Sequence, residues 1–398
     1  MEEEQTMKKA LLVLVKVPLV LVTACCLFLG VSVLGERMWI TTQIGTVLFS
    51  LALPFALIGA AVVVVAGIVM VRKGEKGRKL PRFLLGASLA ALAILGVETA
   101  QLKAAVSREG GSYSLTEGLT MRDIQMSEPD EQVVYANHDG QDLTISIYKP
   151  SEDGDAGKTG DGLRPVYVYM HGGGWSSGNS ESNSNMHRQM ADAGYVGFSI
   201  NYRLCTYPGT SNPTWDKAIY DCAEAMNWIR DHAKEYGGDP DRIVLAGESA
   251  GGNLVLHYVG MTSTGQLDAP TPRAVLAMYP AVDLQWISDN GHYLTPDTIP
   301  GIVEAYVGGE LSEYPDRLKF VSPLTYMNPD LPPILILHGQ KDSLVSVEGS
   351  EEYKREADEV GADVNLVELP YTNHGTDQQA NRTILFNWLK NYPGMLPE

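Results

Sequence analysis

The sequence predicts an α/β protein, a doubly wound, mostly parallel eight-stranded sheet preceded by three transmembrane helices. Three observations carry this. The first quarter of the 398-residue chain contains three long apolar runs. From residue 132 onward, short apolar runs alternate with helical stretches. Midway through that alternation, Gly247-Glu-Ser-Ala-Gly251 sits between a buried run, 243–246, and a helical one, 253–259.

The apolar runs come first. Residues 10–35 are apolar apart from Lys16, residues 44–71 carry no charge, and a third run extends over about 81–102. About 20 apolar residues suffice to cross a bilayer, so residues 1–106 are expected to form a membrane module. The 72–82 loop holds Arg72, Lys73, Lys76, Arg78, Lys79 and Arg82 against Glu75 alone, and Lys8 and Lys9 precede the first run. Cytoplasmic loops are enriched in Lys and Arg, which places the N-terminus and this loop inside and everything after about residue 107 outside the cytoplasm. A competing reading takes Val22-Thr-Ala-Cys25 as a lipid-attachment signal, but the apolar run continues past Cys25 and Lys16 interrupts it.

The formal net charge is −18 and is unevenly spread. Residues 1–106 carry 11 Lys and Arg against 6 Asp and Glu; the remainder carries 19 against 42, a net of −23. A domain that acidic is a poor partner for nucleic acid or anionic lipid. The four cysteines show no metal-binding or redox spacing. An external domain permits a Cys205–Cys222 bond without requiring one.

Residues 107–130 read as a linker with some helix at 116–126, and 131–398 as one domain. Runs 133–135 and 143–148 form a hairpin around Asn137-His-Asp-Gly140, and 151–163 is a solvated loop by composition. Strands at 166–170, 196–202, 243–246, 275–279, 334–337 and 364–369 alternate with helices near 183–193, 214–233, 253–259, 348–360 and 376–390. Continuous apolar strands alternating with helices indicate a parallel sheet covered on both faces, with ligands bound at the strands' C-terminal ends.

Gly247-Glu-Ser-Ala-Gly251 at a strand-to-helix turn makes Ser249 a candidate nucleophile. Its neighbours must be tiny because strand and helix pass close by. Such a serine needs a base, an orienting acid and donors for an oxyanion. Strand 166–170 runs into His171-Gly-Gly-Gly-Trp175, so the backbone N–H groups of Gly172, Gly173 and Gly174, with that of Ala250, are candidate donors; His171 is read as the anchor of this loop. Of the eight histidines, His374 lies just past a strand's C-terminal end and is the candidate base. His338 is read as buried in its turn, His257 as a packed helix residue, and His138, His187, His232 and His292 as loop or surface residues. Asp342, leaving strand 334–337, is the candidate orienting acid, with Asp283 as the alternative.

Together His171-Gly-Gly-Gly-Trp175, Asn201-Tyr-Arg-Leu204, Gly238-Asp-Pro-Asp-Arg-Ile243, Gly247-Glu-Ser-Ala-Gly-Gly252, His338-Gly-Gln-Lys-Asp342 and His374 resemble the α/β-hydrolase fold, specifically the hormone-sensitive-lipase-like carboxylesterases. The resemblance covers about 132–390. It implies a Ser249–His374–Asp342 triad, an oxyanion hole at Gly172–Gly174 and Ala250, no metal or cofactor, and a lid over an acyl pocket at 284–322, where Trp286, Tyr293, Tyr306 and Tyr314 fall. Departures are Cys205-Thr-Tyr-Pro208 where Ala-Pro usually follows, and Glu248 where many members have Asp. The expected function is a membrane-anchored serine carboxylesterase acting on small or polymer-borne, short-chain acyl esters, with lipids near the membrane as a further substrate option. An amidase or peptidase of the same fold, and a non-catalytic binding domain on a membrane module, are the alternatives. Oligomeric state is not readable.

Overall fold

The computed structural model describes residues 2–36, 40–72, 79–120, 125–151, 162–290 and 298–396. The chain opens with α1 (Glu2–Ser32), α2 (Ile40–Arg72) and α3 (Lys79–Arg108), packed pairwise on one another. Three stretches, Leu14–Ser32, Ala52–Arg72 and Lys79–Arg108, are long and apolar enough to cross a membrane. Small residues let the helices approach: a Cβ on Gly45 would fall 1.8 Å from Ser32 Oγ, and one on Gly59 3.0 Å from Val22. Buried Thr23 and Ser88 share a hydrogen bond of 3.1 Å between α1 and α3. Most of the basic 72–82 loop lies outside the described residues.

The segment after α3 is not loose. One turn, α4 (Leu115–Gly118), replaces the helix expected at 116–126, of which 121–124 lie outside the described residues. Ser112 and Ser114 N–H groups donate to Thr383 and Gln379, and Arg382 pairs with Glu117. These polar ties explain why a stretch without apolar periodicity is nonetheless packed.

The sheet comprises β1 (Glu131–His138), β2 (Gln141–Tyr148), β3 (Arg164–Met170), β4 (Val196–Ile200), β5 (Gly238–Glu248), β6 (Ala274–Met278), β7 (Ile334–Gly339) and β8 (Val364–Leu369). Its order is β1-β2-β4-β3-β5-β6-β7-β8. β1 and β2 form the antiparallel hairpin, β2 meets β4 antiparallel, and the rest is parallel. Between them run α5 (Ser184–Asp192), α6 (Ala218–His232), α7 (Ala250–Ser263), α8 (Leu284–Asn290), α9 (Thr298–Val307), α10 (Pro315–Val321), α11 (Val347–Val360) and α12 (Gln378–Leu389). β5 begins five residues earlier than its apolar run because Gly238 and Asp239 pair with Arg164 and Pro165 ahead of a bulge. β6 ends at Met278, since Tyr279 turns to φ 37°. Within the expected loop 151–163, residues 152–161 lie outside the described residues, as do His292 and Tyr293.

From β3 the chain steps outward to β4, and from β5 it steps the other way to β6. The C-terminal ends of β3 and β5 therefore flank a topological switch point, where loops diverge and leave a crevice. The loops leaving these two strands are His171–Gly174 and the Ser249 turn.

Candidate active site

Ser249 occupies φ 53°, ψ −117°, a conformation held between β5 and the first turn of α7. Its N–H donates to Met278 O at 2.9 Å. The steric argument for its neighbours is quantitative. A Cβ on Gly247 would lie 2.4 Å from Gly251 O, and one on Gly251 would lie 2.0 Å from Met170 O. Strand, turn and helix close on each other only with glycine at both places.

His374, past β8, turns its ring between two partners. Nδ1 lies 2.8 Å from Asp342 Oδ2, and Nε2 lies 2.9 Å from Ser249 Oγ. A carboxylate against Nδ1 holds the proton there, leaving the Nε2 lone pair to accept from the serine hydroxyl. Tyr279 packs on this imidazole, ring centroids 4.6 Å apart, and its hydroxyl donates to Glu248. The longer glutamate at 248 thus reaches across to a tyrosine beside the base.

Asp342 is fully buried. Its Oδ1 accepts from Leu344 and Val345 N–H, both at 2.9 Å. Its Oδ2 faces His374 and also His338 Nε2 at 3.2 Å. Burial alone would push this carboxyl up. The electrostatic pull of the adjacent His374 and the hydrogen bonds from both histidines outweigh burial and hold it well below the usual carboxylate range. The alternative acid, Asp283, is spent elsewhere: its Oδ1 accepts from Trp286 N–H at the start of α8.

The glycine loop lies across from Ser249. A Cβ on Gly172 would fall 3.3 Å from Ser249 Cβ. Among the described residues, the backbone N–H groups of Gly172, Gly173 and Gly174 have no hydrogen-bond acceptor. Ala250 opens α7, where the first N–H groups have no intrahelical partner. His171 is buried at the loop's root. Its Nδ1–H donates to Gly172 O at 2.7 Å, its ring stacks on Tyr202 at 4.4 Å, and Tyr202 OH donates to His171 O. Burial pushes its pKa down to about 4, so the ring is neutral. Asn201 accepts from Ser180 N–H and donates to Thr144, which fixes the neighbouring turn.

The remaining histidines divide. His338 and His257 are fully buried; His138 and His232 pair with Glu224 and Glu235 near the surface. His187 departs from expectation. It is buried, packed edge-on to Tyr169, with Nε2 donating to Ser182 O. α5 buries polar side chains through such bonds, which apolar periodicity does not reveal. Cys205 and Cys222 are both free and buried.

A cavity of about 480 Å³ joins these parts. Ser249, His374 and Gly172–Gly174 line its floor, and Ile287, Ile299, Ile302 and Val303 of α8 and α9 supply an apolar wall. Trp175 stacks on Tyr306 of α9 at 4.3 Å, tying that wall to the glycine loop.

Two positions were silent in the sequence. Asn373 Oδ1 accepts from His374 N–H at 2.7 Å and Ser343 N–H at 3.0 Å, while its amide donates to Thr46 of α2 at 2.9 Å. Val47 of α2 lines the cavity itself. No local motif marks either.

The BD-FAE family model matches residues 147–356. Among curated proteins, the probable carboxylic ester hydrolase LipM of Mycobacterium tuberculosis is 30% identical over 60% of this chain and 56% of its own length. The carboxylic ester hydrolase LipN of the same organism is 28% identical over 70% and 76%. The chain spans about half the length of LipM, LipQ and LipC. Among solved structures, a thermophilic esterase from Thermogutta terrifontis with propionate bound superposes with a TM-score of 0.52 at 27% identity, covering 67% of this chain and 96% of that one. A bacterial heroin esterase gives 0.52 at 25% identity, over 67% and 84%. With the family match spanning more than half of its residues and its sheet shared with these neighbours, the chain belongs to the BD-FAE family, on the α/β-hydrolase fold of the carboxylesterases.

Proposed function

We propose that the protein is a serine carboxylesterase held at a membrane by α1–α3. The observation that carries this reading is the hydrogen-bonded chain from Ser249 Oγ to His374 Nε2 and from His374 Nδ1 to Asp342, at 2.9 and 2.8 Å, under one cavity. Ser249 is the nucleophile, His374 the base and later the acid, and Asp342 the residue that orients and stabilises the imidazolium. The N–H groups of Gly172, Gly173, Gly174 and Ala250 receive the oxyanion, with His171 holding the loop in place.

In the first half-reaction Ser249 Oγ bonds to the ester carbonyl carbon and its proton passes to His374 Nε2. The tetrahedral adduct collapses, the alkoxide leaves, and His374 returns the proton to it as alcohol. Water then attacks the acyl-Ser249 carbonyl, giving its proton to His374. Collapse releases the carboxylic acid and restores the serine hydroxyl. No redox partner enters. The apolar wall of α8 and α9 suits an acyl chain, and the names of the relatives favour esters over other acyl donors. The basic residues Arg72, Lys79 and Arg82 at the far ends of α2 and α3 favour a catalytic domain outside the cytoplasm.

The test is labelling with a membrane-impermeant fluorophosphonate on intact cells, beside a Ser249→Ala control. Labelling of the wild type alone is the expected result. Labelling only after permeabilisation overturns the orientation, and equal labelling of the control overturns the nucleophile.

A further inference from the structure

Among the described residues lining the Ser249 cavity, Val47 comes from outside the sheet and its connections. It belongs to α2, a helix long enough to do more than cross a bilayer. About 20 residues span the hydrocarbon core; counted back from Arg72, that length ends near Ala52, inside the single continuous helix Ile40–Arg72. Val47 stands about 7.5 Å further along the axis at 1.5 Å per residue. The polar headgroup layer is roughly 6 Å deep on each side. The cavity wall contributed by α2 is therefore at the outer edge of the lipid headgroups.

The two faces of this upper part of α2 differ. Thr46 and Phe49 are buried against Asn373 and Tyr371 of the sheet domain, and Thr42 and Gln43 are buried on the same helical face. Ile40, Ile44, Val47 and Leu48 form one helical face, spaced i, i+4, i+7 and i+8, and remain 59%, 41%, 45% and 43% exposed. In water this stripe is a penalty of about 25 cal/mol per Å²; against lipid it is at home. The stripe is continuous with the catalytic cavity through Val47, which belongs to both. Two further contacts turn the same edge of the sheet toward the helices: Lys341 Nζ donates to Gly35 O at 2.9 Å, and Tyr371 OH to Gln101 of α3.

We infer that α2 is the membrane-facing wall of the cavity and that the substrate is an acyl ester of a bilayer lipid. Its chain passes over Ile44 and Val47 and enters between α2 and α9, bringing the ester carbonyl to Ser249. The products are a fatty acid and the deacylated lipid alcohol, with water as the only co-reactant. This rests on the esterase reading above and names its substrate class.

The test uses the full chain reconstituted in dioleoyl phosphatidylcholine vesicles. Turnover of dioleoylglycerol held in the bilayer is compared with turnover of p-nitrophenyl acetate from solution, for wild type, Val47→Asp and Ile44→Asp. Wild type is expected to cleave both, and each variant to lower the bilayer-to-soluble ratio of kcat/KM at least tenfold. A ratio unchanged in both variants overturns the entry route. Wild type that cleaves the soluble ester and not the bilayer ester overturns the substrate class and leaves the esterase reading standing. Cleavage of neither overturns both.

Discussion

Asn373 donates its side-chain amide to Thr46 Oγ1 at 2.9 Å, joining the loop that carries His374 to a helix 327 positions away in sequence. The other end of the same amide group accepts from His374 N–H and Ser343 N–H. One planar side chain thus sets the distance between the His374 loop, the Asp342 loop and α2. Misplacing a catalytic group by about 1 Å costs on the order of 100-fold. Asn373→Ala is expected to lower kcat by about 10- to 100-fold with little change in KM. Thr46→Val removes one bond and is expected to cost about three- to tenfold, on the scale of roughly 1 kcal/mol for a hydrogen bond. Because both act through one contact, the double variant should resemble Asn373→Ala alone; simple multiplication of the two effects would show that the helix does not act through Asn373.

Asp342→Asn tests the orienting role without emptying the site. The asparagine oxygen keeps the Leu344 and Val345 N–H groups that Oδ1 now receives, and its NH₂ turns toward His374 Nδ1. That moves the imidazole proton onto Nε2, the atom that must accept from Ser249. Steady-state assays are expected to show kcat falling about 10⁴-fold, with KM within a few-fold. Asp283→Asn, at a carboxylate engaged with Trp286 N–H, is expected to change kcat less than about threefold, within the range of an ordinary surface substitution. Comparable losses in the two variants would remove Asp342 from its assigned place.

The meeting of Ser249, Asp342 and His374 was legible because each follows a strand that reads as a continuous apolar run, and parallel strands deliver their C-terminal ends to one edge. The glycines were legible for the same reason in miniature: Gly247 and Gly251 face backbone oxygens at distances no side chain permits. Asn373, Thr46 and Val47 were not legible. Their relation depends on how the helices dock on the sheet, and neither hydropathy nor spacing encodes a rigid-body placement. His187 was misread because α5 buries Ser184, Asn185 and Gln189 beside it. A helix that hides polar groups through hydrogen bonds looks like a surface helix in a hydropathy pattern. Tyr279 escaped because its turn at φ 37° carries no glycine to announce it.

Gly251→Ala adds one methyl where there is no room. The new Cβ would sit 2.0 Å from Met170 O and 2.5 Å from His171 O, backbone atoms at the end of β3 and the start of the glycine loop. Rotamer changes cannot relieve a clash with backbone, so β3 and α7 must separate, shifting the glycine loop and Ser249 together. Overpacking of this kind costs about 1–3 kcal/mol or more. Thermal unfolding is expected to show a lowered Tm, and fluorophosphonate labelling of the folded fraction to fall at least tenfold. A variant with wild-type Tm and labelling would mean that α7 approaches β3 less closely than described.

His257 supplies a pH dependence that can be isolated. It is fully buried, stacked on Tyr326 at 5.0 Å and edge-on to Phe320, and among the described residues neither ring nitrogen has a hydrogen-bond partner. Burial pushes its pKa down to about 3, against about 6.5 in an unfolded chain. Above pH about 6.5 both states are neutral at this group and stability is unaffected. As pH falls below that value the unfolded state takes up a proton that the folded state refuses, and stability is lost at about 1.4 kcal/mol per pH unit until the folded pKa is reached. His257→Leu removes this slope and keeps an apolar side chain against Tyr326 and Phe320. Denaturant unfolding of the full chain in detergent at pH 7 and pH 5 is expected to show the wild type losing about 2 kcal/mol more than the variant. His171 and His187, also buried and with pKa values pushed down to about 4 and about 3, contribute the same loss to both proteins and cancel in the difference. Equal losses in the two proteins would show that His257 is protonated, or hydrated, in the folded state.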